Sequence, residues 1–162
     1  MRILPLLVVL SLLAVGCGSG ADDAPATSSP TARPTGATTP LASNVALFTN
    51  SAGEQVALEV EIADTPDERS QGLMNREDLS ENTGMIFAYD DDHQAGFWMR
   101  NTLIPLSIAF VLEKGTIIDI QDMEPETTDL HRPDEKYRNA IEVNKGWFGR
   151  NNITVGDVVA LE

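Results

Sequence analysis

Val56-Ala57-Leu58-Glu59-Val60-Glu61-Ile62 alternates apolar and polar side chains, and Ala63-Asp64-Thr65-Pro66-Asp67-Glu68 follows at once. A period of two predicts a half-buried strand, with Leu58 and Val60 on the core face and Glu59 and Glu61 opposite. The next residues carry a complete helix start. Thr65 can cap, Pro66 suits the first helical position, and Glu68 can close a capping box. Gly72 keeps this helix short and turns Leu73 and Met74 inward. A strand that gives way so abruptly to a short helix points to an α+β domain.

Downstream, Gly84 to Tyr89 reads as a second strand, released into an acidic turn at Asp90-Asp91-Asp92. Phe97 to Thr102 is the densest stretch; if it is extended, Phe97 and Met99 face one way and Trp98 the other. Leu106 to Leu112 and Thr116 to Ile120 read as a hairpin around Glu113-Lys114-Gly115, where Gly115 can take positive φ. The polar span from Pro125 to Lys136 has little to bury and reads as a long loop or flap. Asn139 to Val143 returns as a strand, Asn144 caps a short helix bearing Trp147 and Phe148, and Val158 to Leu161 forms the last strand. The expected fold is α+β and mainly β: a curled or barrel-like antiparallel sheet with two short helices.

The beginning of the chain reads differently. Arg2, the apolar run from Ile3 to Val15, and Ala14-Val15-Gly16-Cys17 make a lipoprotein signal peptide over residues 1–16, cut before Cys17. The run is shorter than the roughly 20 residues a membrane-spanning helix needs. Ala14 stands where leucine is more usual, and a plain signal peptide or an uncleaved anchor are the alternatives. Cys17 is the chain's one cysteine, and lipidation removes the oddity of a lone thiol in an oxidising compartment. Residues 17–43 are then the lipidated cysteine and a disordered spacer rich in Gly, Ser, Thr, Ala and Pro, with no apolar face to offset the entropy of ordering. Residues 44–162 form a single domain. The expected location is extracytoplasmic, anchored by lipid to the cell membrane, or to an outer membrane if the host has one.

With 25 acidic against 11 basic side chains and a formal net charge of −14, the chain would repel nucleic acid and anionic lipid. That acidity also fits a salty habitat or a need for solubility. His93 and His131 are the two histidines, and neither sits in a zinc-binding spacing. Asp90 to Asp92, and Asp119 with Asp122 and Glu124, lack the spacing of a calcium loop. No nucleophile elbow or phosphate-binding glycine loop is present, so no metal and no cofactor is expected.

The segments "RSQGLMNRE" at Arg69 to Glu77, "GMIFAY" at Gly84 to Tyr89, "FWMRNTLIPLSIAF" at Phe97 to Phe110, "AIEVNKGW" at Ala140 to Trp147 and "ITVGD" at Ile153 to Asp157 occur in order. Together they resemble the signature segments of the domain of unknown function 192 family. The resemblance implies a small, mainly β, barrel-like unit, often behind a signal sequence or lipoprotein anchor, and no established biochemical role. Two departures stand out: Asn75 where the family typically has an aromatic residue, and Ser107 where it commonly has aspartate. If that aspartate served a shared chemistry or held a cation, this chain has lost a ligand. The loop from Pro125 to Lys136 also lacks the cysteine pair that some members carry.

The candidate ligand groove comprises Trp98, Asn101, Thr102, Arg69 and Trp147. A short polar pair after an aromatic can turn backbone donors toward a groove, or can simply form a local turn. Arg69 can pair with an acidic strand residue or grip a ligand carboxylate in a bidentate fork. Trp147, set among Asn144, Lys145 and Arg150, can line a groove or fill the core. No catalytic residue is assigned. An enzyme would need Glu77, Asp119 and Glu142 brought together with His93 as base, within hydrogen-bond reach of about 3 Å. The expectation is a monomeric small-ligand, glycan or protein binding or accessory module of the cell envelope; the alternatives are a structural envelope protein and, less favoured, a carboxylate-dependent enzyme.

Overall fold

The computed structural model describes residues 43–161. The predicted signal peptide, the lipidation at Cys17 and all of the predicted 17–43 spacer but Ser43 lie outside the described residues; Ser43, placed at the end of that spacer, opens the first strand. Seven strands and two short helices follow one another: β1 (Ser43–Thr49), β2 (Gln55–Ala63), α1 (Pro66–Gln71), β3 (Thr83–His93), β4 (Leu106–Val111), β5 (Ile117–Met123), β6 (Tyr137–Asn144), α2 (Trp147–Arg150) and β7 (Val158–Leu161). The strands form one sheet in the order β5-β4-β6-β3-β2-β1-β7. The domain is α+β and mainly β.

The sheet is antiparallel at every pairing but one. β2 and β3 run parallel, with Glu59 to Ala63 alongside Thr83 to Phe87. A parallel pair cannot be joined by a tight hairpin and needs a crossover of a dozen or more residues. Residues 64–82, including α1, supply it. The capping box predicted for α1 is present: the Glu68 N–H donates to Thr65 Oγ1, and the Thr65 N–H donates to Glu68 Oε2.

The sheet curls until its two edge strands touch at one end. Thr116 bridges Val158, the Ile117 N–H donates to the Asp157 carbonyl at 2.9 Å, and the Val159 N–H donates to the Gly115 carbonyl at 2.8 Å. Gly115 makes this contact possible. Its φ is +86°, and a Cβ there would lie 2.2 Å from the Val159 carbonyl oxygen.

Each face of the curled sheet buries its own core. The inner cluster draws on all seven strands, among them Phe48, Leu58, Ile86, Val111, Ile117, Ile141 and Val159, and α2 adds Trp147 and Phe148. The outer cluster contains Met85, Phe87, Ile108, Phe110, Tyr137 and, from the covering segment, Met99 and Ile104. β4 is buried at every position, since Ala109 and Val111 face inward while Leu106, Ile108 and Phe110 face outward. Its unbroken apolar run follows from being covered on both sides. The outer cover is irregular chain, fixed by the Phe97–His131 bridge and by the Met99 N–H donating to the Thr127 carbonyl at 3.0 Å.

Three local expectations need correction. Asp90 to Asp92 do not form a turn but continue β3, which carries a register shift between Ala88 and His93. Asn144 does not cap α2; it ends β6 and its amide donates to the carbonyls of Leu79 and Ser80, while Gly146 stands at the cap in a left-handed conformation. Phe97 to Thr102 is not a strand beyond its single bridge, because Arg100 and Asn101 turn the chain. Among the described residues no helix is long and apolar enough to cross a membrane.

Candidate functional site

On the outer face, α1 and the segment from Gly96 to Thr102 stand apart above β3 and β6 and leave a cavity of about 290 Å³. Arg69 anchors one wall. Its Nη1 donates to the carbonyls of Asp64 at 2.5 Å and Ala88 at 2.8 Å, and its guanidinium lies 4.8 Å from the Tyr89 ring centroid. The arginine thus ties the helix to β3 without pairing with an acidic strand residue.

The opposite wall depends on a tight turn. Asn101 has φ +59°, and its carbonyl accepts from the Asn75 N–H at 2.8 Å. Asparagine tolerates this left-handed conformation better than most residues. The turn leaves Trp98 47% exposed at the rim and Thr102 5% exposed within. Both line the cavity, together with Phe97, Phe87 and Tyr89.

Glu142 of β6 is the floor. Its neighbours across the sheet are Met85 on β3 and Ile108 on β4, both apolar. The residue is 5% exposed, and its carboxyl, which opens on the cavity, takes part in no hydrogen bond with the described residues. Desolvation pushes its pKa up to about 8, so the group is mostly protonated at neutral pH. Burial also raises the Tyr89 hydroxyl. His93 stacks on Tyr89 with ring centroids 4.1 Å apart, and burial, followed by the nearby Arg69 charge, lowers its pKa.

Arg69, Trp98 and Thr102 therefore meet at one cavity. Asn101 supports the same turn but is exposed and contributes its backbone. Trp147 lies across the sheet in the inner core, 0% exposed, with its Nε1 donating to Asn82 Oδ1 and its ring 5.3 Å from that of Phe48. Tyr137 is buried on the outer face, and its hydroxyl donates to the Ala95 carbonyl at 2.7 Å.

The carboxylates considered for catalysis do not converge. Only Glu142 lines the cavity; His93 lies in the adjoining cleft with Asp90 to Asp92, and Asp119 accepts from the Gln121 amide. Ser107 is away from the site as well, its hydroxyl donating to Asp122 Oδ1 and accepting from the Gly146 N–H beneath α2. Among the described residues no group of three or more His, Cys, Asp or Glu side chains is placed to hold a metal ion. Glu142 was legible only as one carboxylate among several. The signal for its special position is an acid two residues from Ala140, on the same face of an apolar strand.

These features define a class: a small partial-barrel domain with a polar-floored cavity on the outer face of its sheet. The sequence profile of the domain of unknown function 192 family, described as "Uncharacterized ACR", matches residues 47–161, and the chain belongs to that family. No functionally curated protein matches it in sequence. Solved crystal structures are similar to it, two of them as follows. A protein from Sinorhizobium meliloti 1021, provisionally assigned as a transcription regulator, is 28% identical with a TM-score of 0.74, over 76% of this chain and 96% of that one. A protein of unknown function from Novosphingobium aromaticivorans DSM 12444 is 30% identical with a TM-score of 0.71, over 88% of this chain and 99% of that one.

Proposed function

We propose that this protein is a ligand-binding module of the cell envelope, tethered by lipid at Cys17, and that the cavity between α1 and the Gly96–Thr102 segment receives a small ligand. One observation carries the reading. Glu142 lies at the cavity floor with its carboxyl open to the cavity and unpaired with any described residue, so a ligand seated there meets an available, partly desolvated polar group. Trp98 at the rim adds a rigid aromatic surface of the sort that recurs in binding sites. A purely structural envelope role is less favoured, because the edge strands close on each other at one end and the open edge left on β5 is short. An enzyme is less favoured, because Glu142 has neither a second carboxylate nor His93 beside it in the cavity.

The test is a thermal-shift screen of glycan fragments and small polar metabolites against the wild-type chain, Trp98→Ala and Glu142→Gln. A compound that raises the melting temperature of the wild type and not of the two variants is the expected result. Ligands that stabilise all three equally would place binding elsewhere and overturn the reading. Mass spectrometry of the mature protein tests the tether, which fails if Cys17 is retained unmodified.

A further inference from the structure

The cavity contains an acid and a base that do not meet. Arg69 and Glu142 line the same space, yet burial is the one influence acting on the Glu142 carboxyl, and no ion pair joins the two. Arg69 uses only Nη1 on the backbone; its Nε and Nη2 have no partner among the described residues. Those two N–H groups form the side-on edge of the guanidinium, the parallel donor pair that grips a carboxylate. Thr102 is 5% exposed, and its hydroxyl, which opens on the cavity, forms no hydrogen bond with the described residues.

A simple anion would satisfy Arg69 but leave Glu142 unpaired. A simple amine would satisfy Glu142 but set its charge against the guanidinium. A ligand bearing both groups answers both. Resting on the reading of this cavity as the binding site, we propose that the ligand is a small zwitterion of the free amino-acid kind. Its ammonium sits on Glu142 and the Thr102 hydroxyl, and its carboxylate in the Nε–Nη2 fork of Arg69. The volume of about 290 Å³ lies at the small end of ligand sites and suits a molecule of this size. The wall of Trp98 and Phe97 is left for the ligand's apolar side chain.

Seating an ammonium ionises Glu142, and its proton passes to solvent. The other titratable groups lining the cavity are Arg69 from α1 and Tyr89 from β3; the Gly96–Thr102 wall contributes none, and Tyr137 and His93 stand behind Tyr89. Burial raises the Tyr89 hydroxyl and keeps it protonated, so the released proton is assigned to Glu142.

The experiment is calorimetry on the full chain in detergent near neutral pH, in two buffers of different ionisation enthalpy. Each of the standard amino acids is tested, with ethylamine, propionate and glucose as probes carrying one charge or none. The expected result is that at least one amino acid binds with proton release, and that ethylamine and propionate bind at least about tenfold more weakly. Arg69→Gln and Glu142→Gln should each weaken binding by about tenfold or more, with Glu142→Gln also abolishing the proton release. Because Arg69 ties α1 to β3, Thr102→Val serves as a second variant and should weaken amine recognition in a fully folded chain. Glucose binding without any amino acid overturns the zwitterion and leaves the cavity reading standing. Amino acids that bind equally to wild type and Glu142→Gln, or no binding by any probe, overturn the proposal.

Discussion

The two tryptophans lie on opposite faces of one sheet and are used in opposite ways. Trp147 plugs the inner core, fully buried between Phe48 and Phe148, and its N–H is satisfied by Asn82. Trp98 stands half-exposed on the outer face at the rim of a cavity whose floor is an unpartnered acid. On the inner side, Ser107 beneath α2 likewise has partners, in Asp122 and Gly146. The outer core is just as apolar beneath, but its cover is irregular chain that leaves polar groups unpaired. The inner face pairs the polar groups it buries at Trp147 and Ser107, whereas the outer face leaves the Glu142 carboxyl open to a cavity.

The largest expected effect breaks the comparison directly. Trp147→Ala should cost about 3–5 kcal/mol, since it empties the centre of a closed core, whereas Trp98→Ala should cost less than about 1 kcal/mol. Urea unfolding of both variants checks this. Equal losses would mean that the two faces share the mechanical work.

The next concerns Glu142 and pH. Below the ordinary carboxylate range, folded and unfolded chains both carry the proton, and burial of the neutral group costs no ionisation energy. As pH rises toward about 8, the unfolded chain ionises while the folded one keeps its proton, so stability falls across that window. Glu142→Gln should therefore match wild type near pH 4 and gain on it by about 1 kcal/mol per pH unit up to about pH 8. Melting curves over that range measure the difference; a constant offset would show that the carboxyl is ionised in the folded domain.

The smallest effect lies in the turn that builds the rim. Asn101→Ala should lose about 1 kcal/mol because alanine resists the φ of +59°, while Asn101→Gly should stay within a few tenths of wild type. Both variants keep the backbone carbonyl that Asn75 uses. If alanine and glycine destabilise alike, the Asn101 side chain itself is the support.

Much of the fold was legible because its signals are local. The alternation from Val56 to Ile62, the Thr65–Glu68 capping box and the Gly115 hairpin each specify their own geometry through neighbours a few residues away. The errors arose where distant chain decided. The acidic run from Asp90 to Asp92 resembles a turn by composition, yet it is held within β3 as a bulge, because β6 takes up pairing again at the His93–Tyr137 pair beyond it. Asn144 resembles a cap, but the Leu79 and Ser80 carbonyls, which the parallel crossover brings to it, claim its amide. The candidate groove divided in the same way: Arg69, Trp98 and Thr102 share the cavity, and Trp147 does not.

By itself the sequence determined six of the seven strands, both short helices, the apolar run of β4 and the family to which the chain belongs, while β1 carried no sequence expectation. These depend on periodicity, capping and turn chemistry, which act within a few residues. Only the tertiary structure decided that β2 and β3 pair in parallel, that the sheet curls until Gly115 meets Val159, and which face each aromatic takes. It alone singled out Glu142 among the acidic side chains, because desolvation is a property of everything packed around a group and not of the residue that bears it.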